Sequence, residues 1–134
     1  MNAVDTNILF YSHDPRDATK QDKAERLIRG LSDGVLLWQV ACEYLSASKK
    51  LAPFGYRFED ACNDLRDLRV TWIDQLPTWG VLERAEAYAR NHSLSIWDAL
   101  IVAACTEAGV KRLYTEDFGG RSPLDGVEFV NPFV

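Results

Sequence analysis

Ser95-Ile-Trp-Asp-Ala-Leu-Ile-Val-Ala-Ala-Cys-Thr-Glu-Ala-Gly109 precedes Val110-Lys-Arg-Leu-Tyr-Thr115. The first segment reads as a helix capped by Ser95, ended by Gly109 and apolar almost all round from Ile96 to Ala108. A helix without a polar face is normally central in its domain. A short strand at Arg112–Thr115 follows it. Upstream the same alternation recurs. Pro77 can open a helix with the stripe Val81, Leu82, Ala85, Tyr88 and Ala89. Before it, Phe58, Ala61, Cys62, Leu65 and Leu68 mark an amphipathic helix that leads to a strand at Val70–Ile73. Val35–Trp38, an apolar run after Asp33-Gly34, reads as a buried strand. The helix after it carries Val40, Ala41, Tyr44, Leu45, Ser48 and Leu51 and closes near Pro53. Another helix spans Thr19–Leu31, with Ala24, Leu27, Ile28 and Leu31 at helical spacing. Met1–Val4 is a short apolar start cut off by Asp5-Thr6-Asn7, after which Ile8–Tyr11 opens a short helix. Beyond Thr115 come a loop through Gly119, Gly120 and Pro123, a turn at Asp125-Gly126 and a last strand at Val127–Val130. Short apolar strands alternating with helices predict a three-layer α/β/α sandwich with a largely parallel central sheet.

The chain of 134 residues is expected to form one domain, residues 1–134. With 47% hydrophobic and 26% charged residues it lies close to ordinary globular usage, which excludes disorder and fibrous architectures. No apolar run is long enough to span a bilayer, and no basic flank with a long apolar run marks a signal peptide. A soluble cytoplasmic protein without membrane association is expected. Three cysteines without a C-x-x-C pair argue against a disulfide framework or a zinc site. The formal net charge of −5 makes the chain a poor general binder of nucleic acid.

In an open parallel sheet, ligands bind outside the carboxyl ends of the strands. Asp5 follows the first strand directly, and Glu43 lies one turn into the helix after Val35–Trp38. Asp98 sits in the first turn of the apolar helix, and Asp117 follows the strand at Arg112–Thr115. Each has a structural explanation: Asp5 could cap a helix, Asp98 could complete a Ser95-x-x-Asp98 capping box, Glu43 could be solvated and Asp117 could form a turn. Together they would repel one another strongly unless a cation lies between them. Ligation by carboxylate oxygens alone suits Mg²⁺ or Mn²⁺ rather than zinc. Without these four acids the formal charge falls to about −1, so most of the acidity would belong to one pocket.

Val4-Asp-Thr-Asn-Ile-Leu9, Gln39-Val-Ala-Cys-Glu-Tyr44, Ser95-Ile-Trp-Asp-Ala-Leu-Ile-Val-Ala-Ala104, Leu113-Tyr-Thr-Glu-Asp-Phe118 and Val130-Asn-Pro-Phe133 occur in this order. The ordered set resembles PIN-domain proteins and, among them, the VapC-type toxins of bacterial toxin–antitoxin pairs. The resemblance implies a Mg²⁺-dependent endoribonuclease acting on RNA, dimeric and held inactive by a cognate antitoxin. By position Asp5, Glu43, Asp98 and Asp117 match the family's acidic quartet, as metal ligands and catalytic groups. Thr6, Asn7 and Thr115 match polar neighbours that orient the ligands. The loop Phe118-Gly-Gly-Arg-Ser-Pro123 departs from the more polar, Gln- or His-containing stretch common at that place.

The alternative from another class is a module on the same fold that binds RNA or an antitoxin without cutting. A haloacid-dehalogenase-like phosphatase would need a second acid where Asn7 stands, and a receiver domain would need adjacent acids after the first strand. His13 and His92 read as surface or capping residues. Cys42, Cys62 and Cys105 read as small buried hydrophobes. Trp38, Trp72, Trp79 and Trp97 read as core or interface rather than base-stacking platforms. Lys49, Lys50, Arg57 and Arg121 could touch RNA phosphates or merely be solvated.

Overall fold

In the computed structural model, which describes all 134 residues, the chain runs β1 (Asn2–Val4), α1 (Thr6–Tyr11), α2 (Ala18–Gly30), β2 (Gly34–Leu37) and α3 (Trp38–Ala47). A 3-10 segment, Ser48–Phe54, extends α3, and α4 (Phe58–Thr71), β3 (Ile73–Gln75), α5 (Trp79–His92), α6 (Ile96–Ala108), β4 (Arg112–Tyr114) and β5 (Glu128–Val130) complete the fold. The strands form one sheet in the order β3-β2-β1-β4-β5, and every neighbouring pair is parallel. The helices enclose this sheet as a three-layer α/β/α sandwich. Ala3 sits opposite Val35 on one side and Leu113 on the other, so β1 is the centre from which the register is set. Strands two and three lie to one side of β1 and strands four and five to the other. The strand order therefore reverses between β1 and β4, the place where parallel sheets open a crevice.

The burial pattern explains why these elements form. All four residues of β2 are buried, as expected of a strand covered on both faces. In α6, Ala99, Ile101, Val102, Ala103 and Cys105 are buried, which agrees with its central role, although Ile96 and Trp97 at its N-terminus stay exposed. One contiguous cluster of 27 buried residues joins β1, β2, β4 and the inner faces of the helices. No helix is long and apolar enough to cross a membrane.

Several expectations shift in detail. The strand expected at Val70–Ile73 is Ile73–Gln75, because the stripe Ala61, Leu65, Leu68 continues helically to Trp72 and leaves Val70 on the outside of α4. As an edge strand, β3 requires no apolar run. Trp38 begins α3 instead of ending β2, and α3 proper stops at Ala47. Pro77 precedes the N-cap Thr78, whose hydroxyl accepts from the Val81 amide at 3.1 Å, so it lies outside α5. Only Cys105 is buried; Cys42 is exposed and Cys62 half-buried. Of the four tryptophans only Trp72 enters the core. His13 is not merely a surface group, since it is half-buried between Asp64 at 3.3 Å and the Tyr56 ring.

Gly34 shows how tightly the sheet start is packed. A Cβ there would lie inside the van der Waals surface of the buried Trp72 indole, whose Nε1 donates to the Leu31 carbonyl at 3.2 Å. Gly34→Ala should therefore cost about 1 to 3 kcal/mol, the usual penalty of overpacking. Urea denaturation checks this, and an unchanged midpoint would show that the indole can yield.

Candidate active site

Four separate elements bring the four acids together. Asp5 follows β1 and caps α1, its Oδ1 accepting from the Thr6 amide at 2.7 Å. Glu43 projects from α3, Asp98 from the first turn of α6, and Asp117 from the loop after β4. All four line one open cleft of about 440 Å³ at the carboxyl end of the sheet, together with Thr6, Asn7, Phe10, Arg16, Lys50 and Trp97. This cleft lies at the reversal between β1 and β4, where the Asp5 amide still donates to the Tyr114 carbonyl at 2.9 Å.

The expected polar neighbours hold the acids in place. Thr115, itself buried, donates its hydroxyl to Asp5 Oδ2 at 2.8 Å and accepts from the Asp117 amide at 3.1 Å. Thr6 donates to Glu43 Oε2 at 2.8 Å, and Asn7 donates to Asp117 Oδ2 at 3.0 Å. Gln39 carries no role in the sequence reading. Its Nε2 donates to Glu43 Oε1 at 2.7 Å and to the Trp97 carbonyl at 3.1 Å, tying α3 to the start of α6. Its position one helical turn before Glu43 was the available signal. The capping box at Ser95 is only half formed: Ser95 Oγ accepts from the Asp98 amide at 3.1 Å, while no hydrogen bond or ion pair engages the Asp98 carboxylate. The capping explanation for Asp98 thus leaves its charge free toward the cleft.

Every donor to these carboxylates is neutral, and none of the ion pairs in the molecule includes Asp5, Glu43, Asp98 or Asp117. Arg16 lines the cleft but is held by Asp14 in a two-point pair, both distances 2.9 Å, which lowers the Asp14 pKa. Arg57 pairs with Asp60, and Arg121 donates to the His92 carbonyl, so neither serves the acids. Burial pushes the Asp5 pKa up from 3.8 to about 6; the Thr115 and Thr6 bonds pull it down, and the charges of Asp117 and Glu43 add to the rise. An oxygen-only donor set with uncompensated negative charge fits a hard divalent cation. The side chains do not form a closed cage, since no three Asp, Glu, His or Cys side chains converge as a ligand group. Asp98, unengaged by the protein, has the freedom to turn toward an ion.

A parallel three-layer sandwich with an acidic crevice at its strand-order reversal defines a class of domain to which this chain belongs. The PIN-domain family model matches residues 3–119, and the chain belongs to that family. No curated protein sequence matches it. Solved structures share its fold. The toxin–antitoxin complex from Klebsiella pneumoniae is 21% identical, covers 98% of this chain and 98% of its own, and superposes with a TM-score of 0.71. A VapC toxin from Mycobacterium tuberculosis, described as cleaving the sarcin–ricin loop, is 18% identical over 93% of this chain and 98% of its own, also at 0.71. A VapBC complex from Rickettsia felis bound to a promoter DNA fragment is 15% identical over 97% and 98%, at 0.64.

The raised pKa of Asp5 sets a direction for stability. Between 3.8 and about 6 the folded state binds more protons at Asp5 than the unfolded state does, so stability falls as pH rises through that window. Above it the full penalty of about 3 kcal/mol applies. Asn at this position keeps a carbonyl for the Thr6 amide and carries no charge. In EDTA, Asp5→Asn should gain on wild type by about that much between pH 4 and pH 7. Urea midpoints at the two pH values test this; a loss of stability at pH 7 would mean that the Thr6 and Thr115 hydrogen bonds to the carboxylate outweigh the cost of burying its charge.

Proposed function

We propose that the protein is a metal-dependent endoribonuclease that hydrolyses RNA phosphodiester bonds, and that it is the toxin of a toxin–antitoxin pair. The observation that carries this reading is that four carboxylates from four elements line one cleft, with no cation paired to any of them. Membership of the PIN family supports it, as do fold neighbours that are toxins or toxin–antitoxin complexes. Asp5 and Asp98 would be the principal ligands of Mg²⁺ or Mn²⁺, with Glu43 and Asp117 completing the site directly or through water. The ion would supply charge neutralisation, polarisation of the scissile phosphate and acidification of a water. Thr6, Asn7, Gln39 and Thr115 fix the orientations of Glu43, Asp117 and Asp5 and leave Asp98 free to adjust. Five carboxylates against two cations line the cleft, so a phosphodiester would be repelled without a bound ion. The reading includes a cognate antitoxin as inhibitor, a homodimeric state and a cytoplasmic location.

RNA cleavage by the purified protein should require Mg²⁺ or Mn²⁺ and stop in EDTA. Asp98→Asn should lower the rate about 100-fold or more. Because no protein group holds the Asp98 carboxylate, its melting temperature in EDTA should match wild type. Equal cleavage in EDTA would overturn the metal chemistry, and RNA binding without turnover in any divalent ion would favour the non-cleaving module. Separately, Mg²⁺ at about a hundred times its Kd should stabilise wild type by roughly 2.7 kcal/mol. Asp98→Asn should lose most of this gain, as melting curves at matched ionic strength would show.

A further inference from the structure

The cleft wall carries groups that neither the core nor the carboxylates use. Trp97, next to Asp98, is 65% exposed and lines the cleft. An exposed tryptophan alone is common, but the main chain of this one is held. Gln39 bonds its main-chain oxygen and Glu43 at once, so the indole is attached at a point held in register with the acids. Two cations line the same cleft. Arg16 is neutralised by Asp14, whereas Lys50, exposed on the 3-10 segment after α3, enters no ion pair or hydrogen bond. An exposed aromatic ring and an unpaired cation on the wall of the carboxylate cleft are groups that suit single-stranded nucleic acid. Bases stack on the ring and phosphates meet the cation. A base inside a duplex already has both faces stacked and cannot use the indole without being unstacked.

We propose that Trp97 and Lys50 form a nucleotide subsite beside the four carboxylates, where Trp97 stacks on an unpaired base and Lys50 pairs with an adjacent phosphate. This inference rests on the ribonuclease reading and deepens it.

The test uses Asp117→Asn as parent, which keeps the two principal ligands Asp5 and Asp98, titrated in Mg²⁺ with a short single-stranded oligouridylate and with a blunt RNA duplex of equal length. The parent should bind the single strand more tightly and show quenched tryptophan fluorescence. Adding Trp97→Leu should weaken single-strand binding roughly tenfold and remove most of the quench, whereas Trp97→Phe should retain most of the affinity. Lys50→Gln should flatten the slope of log affinity against log salt by about 0.7. Trp97 is exposed, so these variants should keep the parent's melting temperature. If wild type cuts no RNA and the parent binds none, the ribonuclease reading falls and the subsite with it. If RNA is cut but Trp97→Leu binds as its parent does, only the subsite falls. Equal affinity for duplex and single strand would overturn the unpaired-base requirement. Unchanged affinity with altered sedimentation would instead place Trp97 at a contact between copies of the chain.

Discussion

The carboxylate of Asp5 is buried at the end of the central strand, held by the Thr6 amide and the Thr115 hydroxyl, with no cation beside it. Burying a charge on neutral hydrogen bonds alone is costly, and the cost is visible in its raised pKa. The parallel pairing of β1 with β4 creates this situation. It sets Val4 against Tyr114, so the residues that leave the two strands, Asp5 and Thr115, meet at one point. Asn7 and Asp117 then join across the same seam. The floor of the cleft is thus a direct consequence of strand register.

The walls depend on a second tie. Glu43 belongs to α3, which follows β2, and Asp98 to α6, which follows α5, and neither touches Asp5 through a hydrogen bond. Thr6 links Glu43 to the β1 end, and Gln39 links it to the α6 end. Three of the four acids are oriented by neutral donors, and the fourth is left free. Such a set is strongly negative yet built to stay in place, a local conflict of the sort that folds tolerate at functional sites.

The cleft also separates its charges. Asp14 removes Arg16 from contention, and the cation-π contact of Arg16 with Phe54 holds it toward the 3-10 segment. On the other flank Lys20 bridges Glu116 and the rings of Tyr11 and Phe133, which fastens the chain's last residues beside the acidic seam. Neither cation is positioned to quench the carboxylates.

By itself the sequence determined the alternation of short strands and helices, the central helix Ile96–Ala108, and the four acids, two just after strands and two in the first turns of helices. Those features are carried by local periodicity and caps: apolar spacing, Ser95 before the helix and Gly109 after it. The ordered motifs also sufficed to name the family. Tertiary structure decided what local rules do not encode. The edge strand β3 falls two to three residues later than its apolar run because α4 keeps its buried stripe through Trp72. Cys42 and three of the tryptophans face solvent because amphipathic spacing marks a helix but not the limits of its buried face. Gln39 gained its part only when α3 and α6 were brought together, 58 residues apart in the chain, since a glutamine's partners depend on what packs against it.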